Sequence, residues 1–327
     1  MDRRGVLTGA FFVLLAAAAL SPLALGAARF PQWLEVALGG ILTGVLYSLV
    51  ALGLVLIFKA SGVFNFAQGA MTLFAALTLV RLAEKMPLPL AILATLAVMV
   101  ALAWVIERAV LRPLVNQEGI ALFMATLGVA YFLDGLGQAL WGSEIYTLHV
   151  GMPKEPKIIL ESVFDGGVMV DMEDFVAALI AAALVAALTL FFQKTATGRA
   201  LRAVADDHQA ALAVGIPLQR IWAVVWSVAG LVALVTGLLW GARNGVQFAL
   251  TFLALKALPV LILGGFTSIP GAVVGGLIVG ASEKLAEVYL GPLVGGGIEG
   301  WFPYVLAVLF LLVRPEGLFG EKIIRRI

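Results

Sequence analysis

Few residues in this chain are equipped for chemistry. There are no cysteines, which removes thiolate catalysis, disulfides and cysteine-ligated metals together. The two histidines, His149 and His208, fall in stretches that read as loops or membrane-edge segments. A zinc site, or a histidine base acting on Ser48 or Ser268, therefore has almost nothing to be built from. What remains is a sparse set of polar side chains in long apolar runs. They are the amides Asn65 and Gln68, the hydroxyls Thr43 and Tyr47 upstream, and the ionisable groups Asp134, Lys256, Glu283, Lys284 and Glu287. Groups of this kind can line a hydrated route, couple an ion or tie helices together. No catalytic residue, metal site or cofactor is expected.

A charge at the centre of a membrane helix costs about 2.5–3.5 kcal/mol, so the five ionisable groups should pair or face water. Glu283 and Glu287 share a helical face, and Lys256 is the candidate counter-charge. A structural salt bridge is favoured over a proton relay. Asn65 and Gln68 follow the Ser61-Gly62 pair, which favours a break in helical geometry. Unwound backbone at membrane depth survives only where protein or a water-filled cavity satisfies it. Two readings of these amides stand: they line a translocation route, or they tie neighbouring helices. The candidate pathway set is Asn65, Gln68, Tyr47 and Thr43.

The elements that must position these groups follow from composition. Of 327 residues, 62% are hydrophobic and 13% charged, with a mean hydropathy of +1.07. That is far more apolar surface than a soluble core of this size could hide, whereas a bilayer can accept it. A net charge of +1 marks no nucleic-acid partner. Runs of the length a bilayer needs fall at about 6–26, 34–58, 65–82, 88–110, 119–141, 174–193, 218–242, 248–266, 271–290 and 300–313. They are too long, and lack the two-residue alternation, for a membrane barrel. The expectation is an all-α integral membrane protein, a single polytopic domain over 1–327 with about ten transmembrane helices. The runs also admit an inverted repeat of two four-helix sets, spans two to five and seven to ten, with the turn at Ser61–Gly69 matching that at Arg243–Gln247.

Basic residues set the orientation. With the N-terminus inside, 13 of the 21 lysines and arginines fall in inside connections and 6 in outside ones, the rest lying within spans. An even number of spans with both termini cytoplasmic fits this split. The first 28 residues also resemble a signal peptide with a small-residue cleavage site, but are read here as a retained span. Residues 142–173 form an outside, periplasmic segment that leans acidic, either a solvated lid or a docking surface. Residues 194–217 form an inside segment in which Thr197 can cap a helix, Gly215 can end it and Pro217 prevents continuation. Leu201, Val204, Ala205 and Leu212 recur there at helical spacing, with Arg199, Arg202, Asp206 and Gln209 opposite. The segment reads as one short amphipathic helix, lying in the interface or acting as a lever on a partner; the paired Asp206-Asp207 favours the lever. Elsewhere the pairs Gly40/Gly44, Gly271/Gly275 and Gly276/Gly280 have the small-xxx-small spacing that lets helices approach closely, and packing is their favoured role.

Three stretches, in this order, carry a family resemblance: Gly40 to Gly53 leading to Gly62-Val-Phe-Asn-Phe-Ala-Gln-Gly69, then Gly198 to Ile216, then Ile262-Leu-Gly-Gly-Phe-Thr-Ser-Ile-Pro-Gly-Ala-Val-Val-Gly-Gly276 and on to Gly280. Together they resemble the membrane permease of the branched-chain amino-acid (Liv-type) ABC importers, over about residues 34–320. The family often has His where this chain has Gln68, so no protonatable group stands there. The resemblance implies a transport subunit of the bacterial cytoplasmic (inner) membrane, moving branched-chain or related small amino acids by alternating access. It makes Gly198, Arg199, Leu201, Val204, Asp206, Asp207, Leu212 and Gly215 the coupling set. No Gly-rich loop ending in Lys-Ser/Thr exists to hold nucleotide phosphates, so ATP hydrolysis is expected on a separate cytoplasmic ATPase. The other implied partners are a second permease subunit, homologous or identical, and a periplasmic solute-binding protein, with membrane lipid around the spans. An ion-coupled secondary transporter using Lys256, Glu283 and Glu287, or a permease for urea and short amides, are the alternatives.

Overall fold

A computed structural model describes residues 3–26, 28–114 and 117–320. Ala27 of the leader-like segment and the basic residues Lys322, Arg325 and Arg326 lie outside the described residues. In chain order the helices are α1 (Arg3–Ala24), α2 (Phe30–Ser61), α3 (Ala67–Ala83), α4 (Leu88–Ile106) and α5 (Gly119–Trp141). A short antiparallel hairpin, β1 (Lys157–Ile159) and β2 (Val168–Val170), follows, with Lys157 opposite Val170. The chain continues through α6 (Met172–Lys194), α7 (Ala196–Asp206), α8 (His208–Ala213), α9 (Leu218–Asn244), α10 (Leu253–Lys256), α11 (Leu258–Gly264), α12 (Ile269–Tyr289), α13 (Gly291–Val294) and α14 (Phe302–Val313).

The chain is an all-α membrane protein outside that one hairpin. Among the described residues seven helices are long and apolar enough to cross a bilayer. On the other three expected spans lie shorter apolar stretches, Ala67–Ala83, Phe248–Gly264 and Phe302–Val313. The expectation of one helix over 248–266 needs correction: a 3₁₀ turn at Phe248–Phe252 runs into α10, and Ala257 interrupts the helix before α11. Pro259 explains part of this, since it sits in the first turn of α11, where its missing N–H costs nothing. The span expected at 88–110 ends in a π-turn, Glu107–Leu111. That geometry brings residues five apart together, and the Arg112 guanidinium closes on the buried Glu107 carboxylate at 3.2 and 3.0 Å.

The chain divides into two compact units. The first holds residues 1–51, 152–182 and 256–327, hence α1, the first part of α2, the hairpin, the first half of α6 and α11 to α14. Its seam is the crossing of α2 and α12. A Cβ on Gly44 would lie 2.5 Å from the Gly276 carbonyl, and one on Gly280 the same distance from that of Gly40. The other side of α12 meets α11, where a Cβ on Gly271 or Gly275 would strike the backbone of Gly264 or Val260. The glycine pairs are thus packing positions, as their spacing predicts. Phe310 of α14 receives Phe11 of α1 edge-on at 5.2 Å.

The second unit holds residues 52–151 and 183–255. Its centre is α3, whose residues from Ala67 to Val80 are all buried, wrapped by α4, α5 and α9. A helix buried on every side needs apolar residues on every side, which is why its sequence shows no polar stripe. Gly237 lets α9 come within contact of the Thr72 carbonyl, and Gly230 does the same against Met99 of α4.

Candidate functional site

The amide pair lies in the second unit, at the bend between α2 and α3. Ser61 ends α2 by bonding back to the Ile57 carbonyl at 2.8 Å, and Gly62 turns the chain with φ +73°, a conformation open to glycine. Asn65 Oδ1 then accepts from the Ala67 N–H at 3.0 Å, holding the start of α3. Its Nδ2 donates to Gln68 Oε1 at 3.4 Å, and Gln68 Nε2 donates to the Ala229 carbonyl of α9 at 3.3 Å. Both side chains are fully buried. In this conformation the two amides satisfy each other and join the bend to α3 and α9. The Trp222 indole, donating to the Ala60 carbonyl at 3.0 Å, adds a second tie between α9 and the end of α2.

Thr43 and Tyr47 belong to the first unit, one turn apart on α2. The Tyr47 hydroxyl donates to Glu283 Oε1 of α12 at 3.1 Å, and the Lys256 ammonium at the end of α10 meets the same oxygen at 3.5 Å. The expected Lys256–Glu283 salt bridge therefore forms, but Glu287 takes no part in it. Its carboxylate accepts the backbone N–H groups of Gly297 and Glu299, each at 2.9 Å, closing the loop before α14. Thr43 Oγ1 and Asp134 Oδ1 are buried without a hydrogen-bond partner. Glu107, with its Arg112 partner, is a charged group that span-by-span reading passed over; the Glu-x₄-Arg spacing is its only signal in sequence.

The segment between α6 and α9 departs from the single helix expected. Thr195, not Thr197, caps α7, accepting from the Gly198 N–H at 3.2 Å. Asp207 then leaves helical geometry and caps α8 through Gln209 N–H at 2.8 Å and Ala210 N–H at 3.0 Å. Gly215, with φ +83°, ends α8 as its type and place predict. The two aspartates thus do separate things: Asp206 is an exposed last residue of α7, and Asp207 is a cap. Gly198 is a contact position, since a Cβ there would fall 1.7 Å from the Phe192 carbonyl. Arg202 donates to that carbonyl at 2.9 Å. Leu201 and Val204 are buried within the chain, at 2% and 0% exposure, whereas Arg199 is exposed and Leu212 is 45% exposed. The apolar face of α7 is already covered by its own protein.

Comparison with known proteins fits this organisation. Residues 36–314 match the family described as the branched-chain amino acid transport system permease component. The chain is 29% identical to the high-affinity branched-chain amino acid transport system permease protein LivH of Salmonella typhimurium, over 91% of this chain and 99% of that one. It is 28% identical to BraD of Pseudomonas aeruginosa, over 90% and 98%. It is 30% identical to a probable LivH permease of Methanocaldococcus jannaschii, over 86% and 91%. The matched region takes in both polar centres and the α7–α8 segment. This chain belongs to the branched-chain amino acid transport permease family and is a non-enzymatic, multi-pass transport subunit.

Proposed function

We propose that this chain forms the translocation pathway of an ATP-driven importer for branched-chain or related small amino acids, working by alternating access. The observation that carries the reading is the family match along 36–314, supported by relatives aligned over nearly their full length. Its partners are cytoplasmic ATPase subunits, a second permease subunit and a periplasmic solute-binding protein, in the bacterial inner membrane. Ten spans with both termini cytoplasmic agree with the distribution of lysine and arginine, with α3, the stretch from Phe248 to Gly264 and α14 as short spans. The inverted repeat belongs to the same proposal. Residues 142–173 then lie on the periplasmic side and 194–217 on the cytoplasmic side. Asn65 and Gln68 are pathway residues in this scheme if the bend at Gly62 opens during the cycle.

Within 194–217 the docking surface is the exposed part: Arg199, Asp206 and the α8 tip with Leu212 and Gly215. Leu201, Val204 and Gly198 hold the segment's shape from inside, and Asp207 caps α8 at the surface. The experiment is leucine uptake into proteoliposomes containing the permease and its partner subunits, with Leu212→Asp as the mutational arm. ATP-dependent uptake is expected for wild type. Leu212→Asp should leave the permease folded and reduce ATPase co-purification about tenfold, the loss of roughly 1.5 kcal/mol of apolar burial. Uptake driven by an ion gradient without ATP would overturn the importer reading, and full ATPase association in the variant would remove the α8 tip from the docking surface.

A further inference from the structure

The Lys256–Glu283 pair is built unlike a structural salt bridge. A charge-assisted bond between an ammonium and a carboxylate closes to about 2.7–2.9 Å when it is meant to hold, and this one stands at 3.5 Å. Tyr47 and Lys256 both address Glu283 Oε1, so neither engages Oε2. Glu283 is nearly enclosed, with its side chain 6% exposed, while the Lys256 side chain keeps 36%. The lysine sits where the helix is interrupted, at the last residue of α10, with only Ala257 between it and α11. Broken helices at membrane depth are where transporters gather ligand-binding groups, since irregular backbone there persists only beside protein or a cavity. Thr43 adds a second, independent sign. Its side-chain oxygen is buried and has no hydrogen-bond partner, and it lies one turn before Tyr47 on the same face of α2.

We propose that Lys256, Glu283, Tyr47 and Thr43 form a binding site for the zwitterionic head of an α-amino acid. Glu283 receives the α-ammonium and Lys256 the α-carboxylate, the two separating to admit the ligand, with Thr43 free to bond its polar atoms. The exchange is neutral: one loose ion pair becomes two, and no net charge enters the apolar interior. A zwitterion needs both charges met when it leaves water, and adjacent opposite charges supply that. An uncharged amide solute needs neither. The assignment rests on the amino-acid reading above and adds the residues that would enforce it.

The test uses the permease assembled with its partner subunits in lipid nanodiscs, without the solute-binding protein, and measures binding of radiolabelled L-leucine by scintillation proximity. Wild type should bind saturably and resist competition by 3-methylbutylamine and by 4-methylpentanoate, which carry one charge each. Glu283→Gln should weaken binding about tenfold or more, the loss of one charged contact. Lys256→Glu combined with Glu283→Lys restores opposite charges in exchanged places; its melting temperature should return towards wild type while leucine binding stays lost. Binding unchanged by Glu283→Gln, recovered by the exchanged pair, or displaced equally by either single-charge analogue would overturn the site. Leucine uptake by the complete wild-type transporter separates the two levels. If no amino acid is taken up, the amino-acid reading fails; if leucine is taken up while these binding differences are absent, only the site fails.

Discussion

In the second unit, Asn65 and Gln68 are fully buried, neutral, and bonded to each other and to the Ala229 carbonyl. In the first unit, Glu283 is almost as enclosed but charged, and its ammonium partner stands off at 3.5 Å with a third of its side chain exposed. Neutral amides can be closed completely inside a protein at little cost once every bond is made. A buried ion pair stays expensive even when it is formed. The difference separates a fully bonded neutral centre from a charged one whose partner stands apart. One glycine beside each centre differs in what it meets: Gly276 faces the Gly44 backbone at the α2–α12 seam, and Gly53 faces the side chains of Val232 and Gln68.

The largest effect expected from breaking this contrast is at the seam. Gly276→Val would place a Cβ 2.1 Å from Ser48 Oγ and 2.6 Å from the Gly44 carbonyl, with no rotamer to relieve the second. Folded yield by fluorescence size-exclusion should collapse; a normal, monodisperse peak would mean that the helices are not held at that distance. Next is Gln68→Leu, which strands the Asn65 amide and should cost about 1–3 kcal/mol, read as a lowered melting temperature. An unchanged value would show that the amide knot is not structural. The smallest effect is expected at Gly53→Ala, whose Cβ would meet Val232 Cγ1 at 3.1 Å and Gln68 Nε2 at 3.2 Å. Side chains can yield there, so about 1 kcal/mol is expected, and a collapse like that of Gly276→Val would erase the distinction between the two regions.

Much of the fold could be read from sequence because a bilayer imposes a length and a composition on each crossing segment. Glycine spacing identified the helix contacts as well, since close approach leaves few other choices. What escaped was decided by partners far away in the chain. Periodicity places Leu201, Val204 and Leu212 on one face of a segment, but it cannot say that the protein covers the first two and leaves Leu212 outside. The cap fell to Thr195 because α7 begins two residues earlier than the amphipathic pattern does, and the Phe192 carbonyl needed Gly198 beside it. The π-turn that joins Glu107 to Arg112 leaves an apolar run looking like any other. Of the pathway candidates, Tyr47 was chosen by position; its bond to Glu283 depends on a residue 236 positions later.

The enclosure of α3 has a consequence for how the chain is made. The Gln68 amide finds its carbonyl on α9, 161 residues downstream. At synthesis rates of about 5–20 residues per second, roughly 8–32 s pass between the two. Through that interval α3 has left the ribosome without the wall that will enclose it, and its amide must hold to Asn65 or to water. The ribosome therefore builds the centre of this unit before its surroundings, and whatever shelters α3 at the insertion site stands in for α9 until α9 arrives.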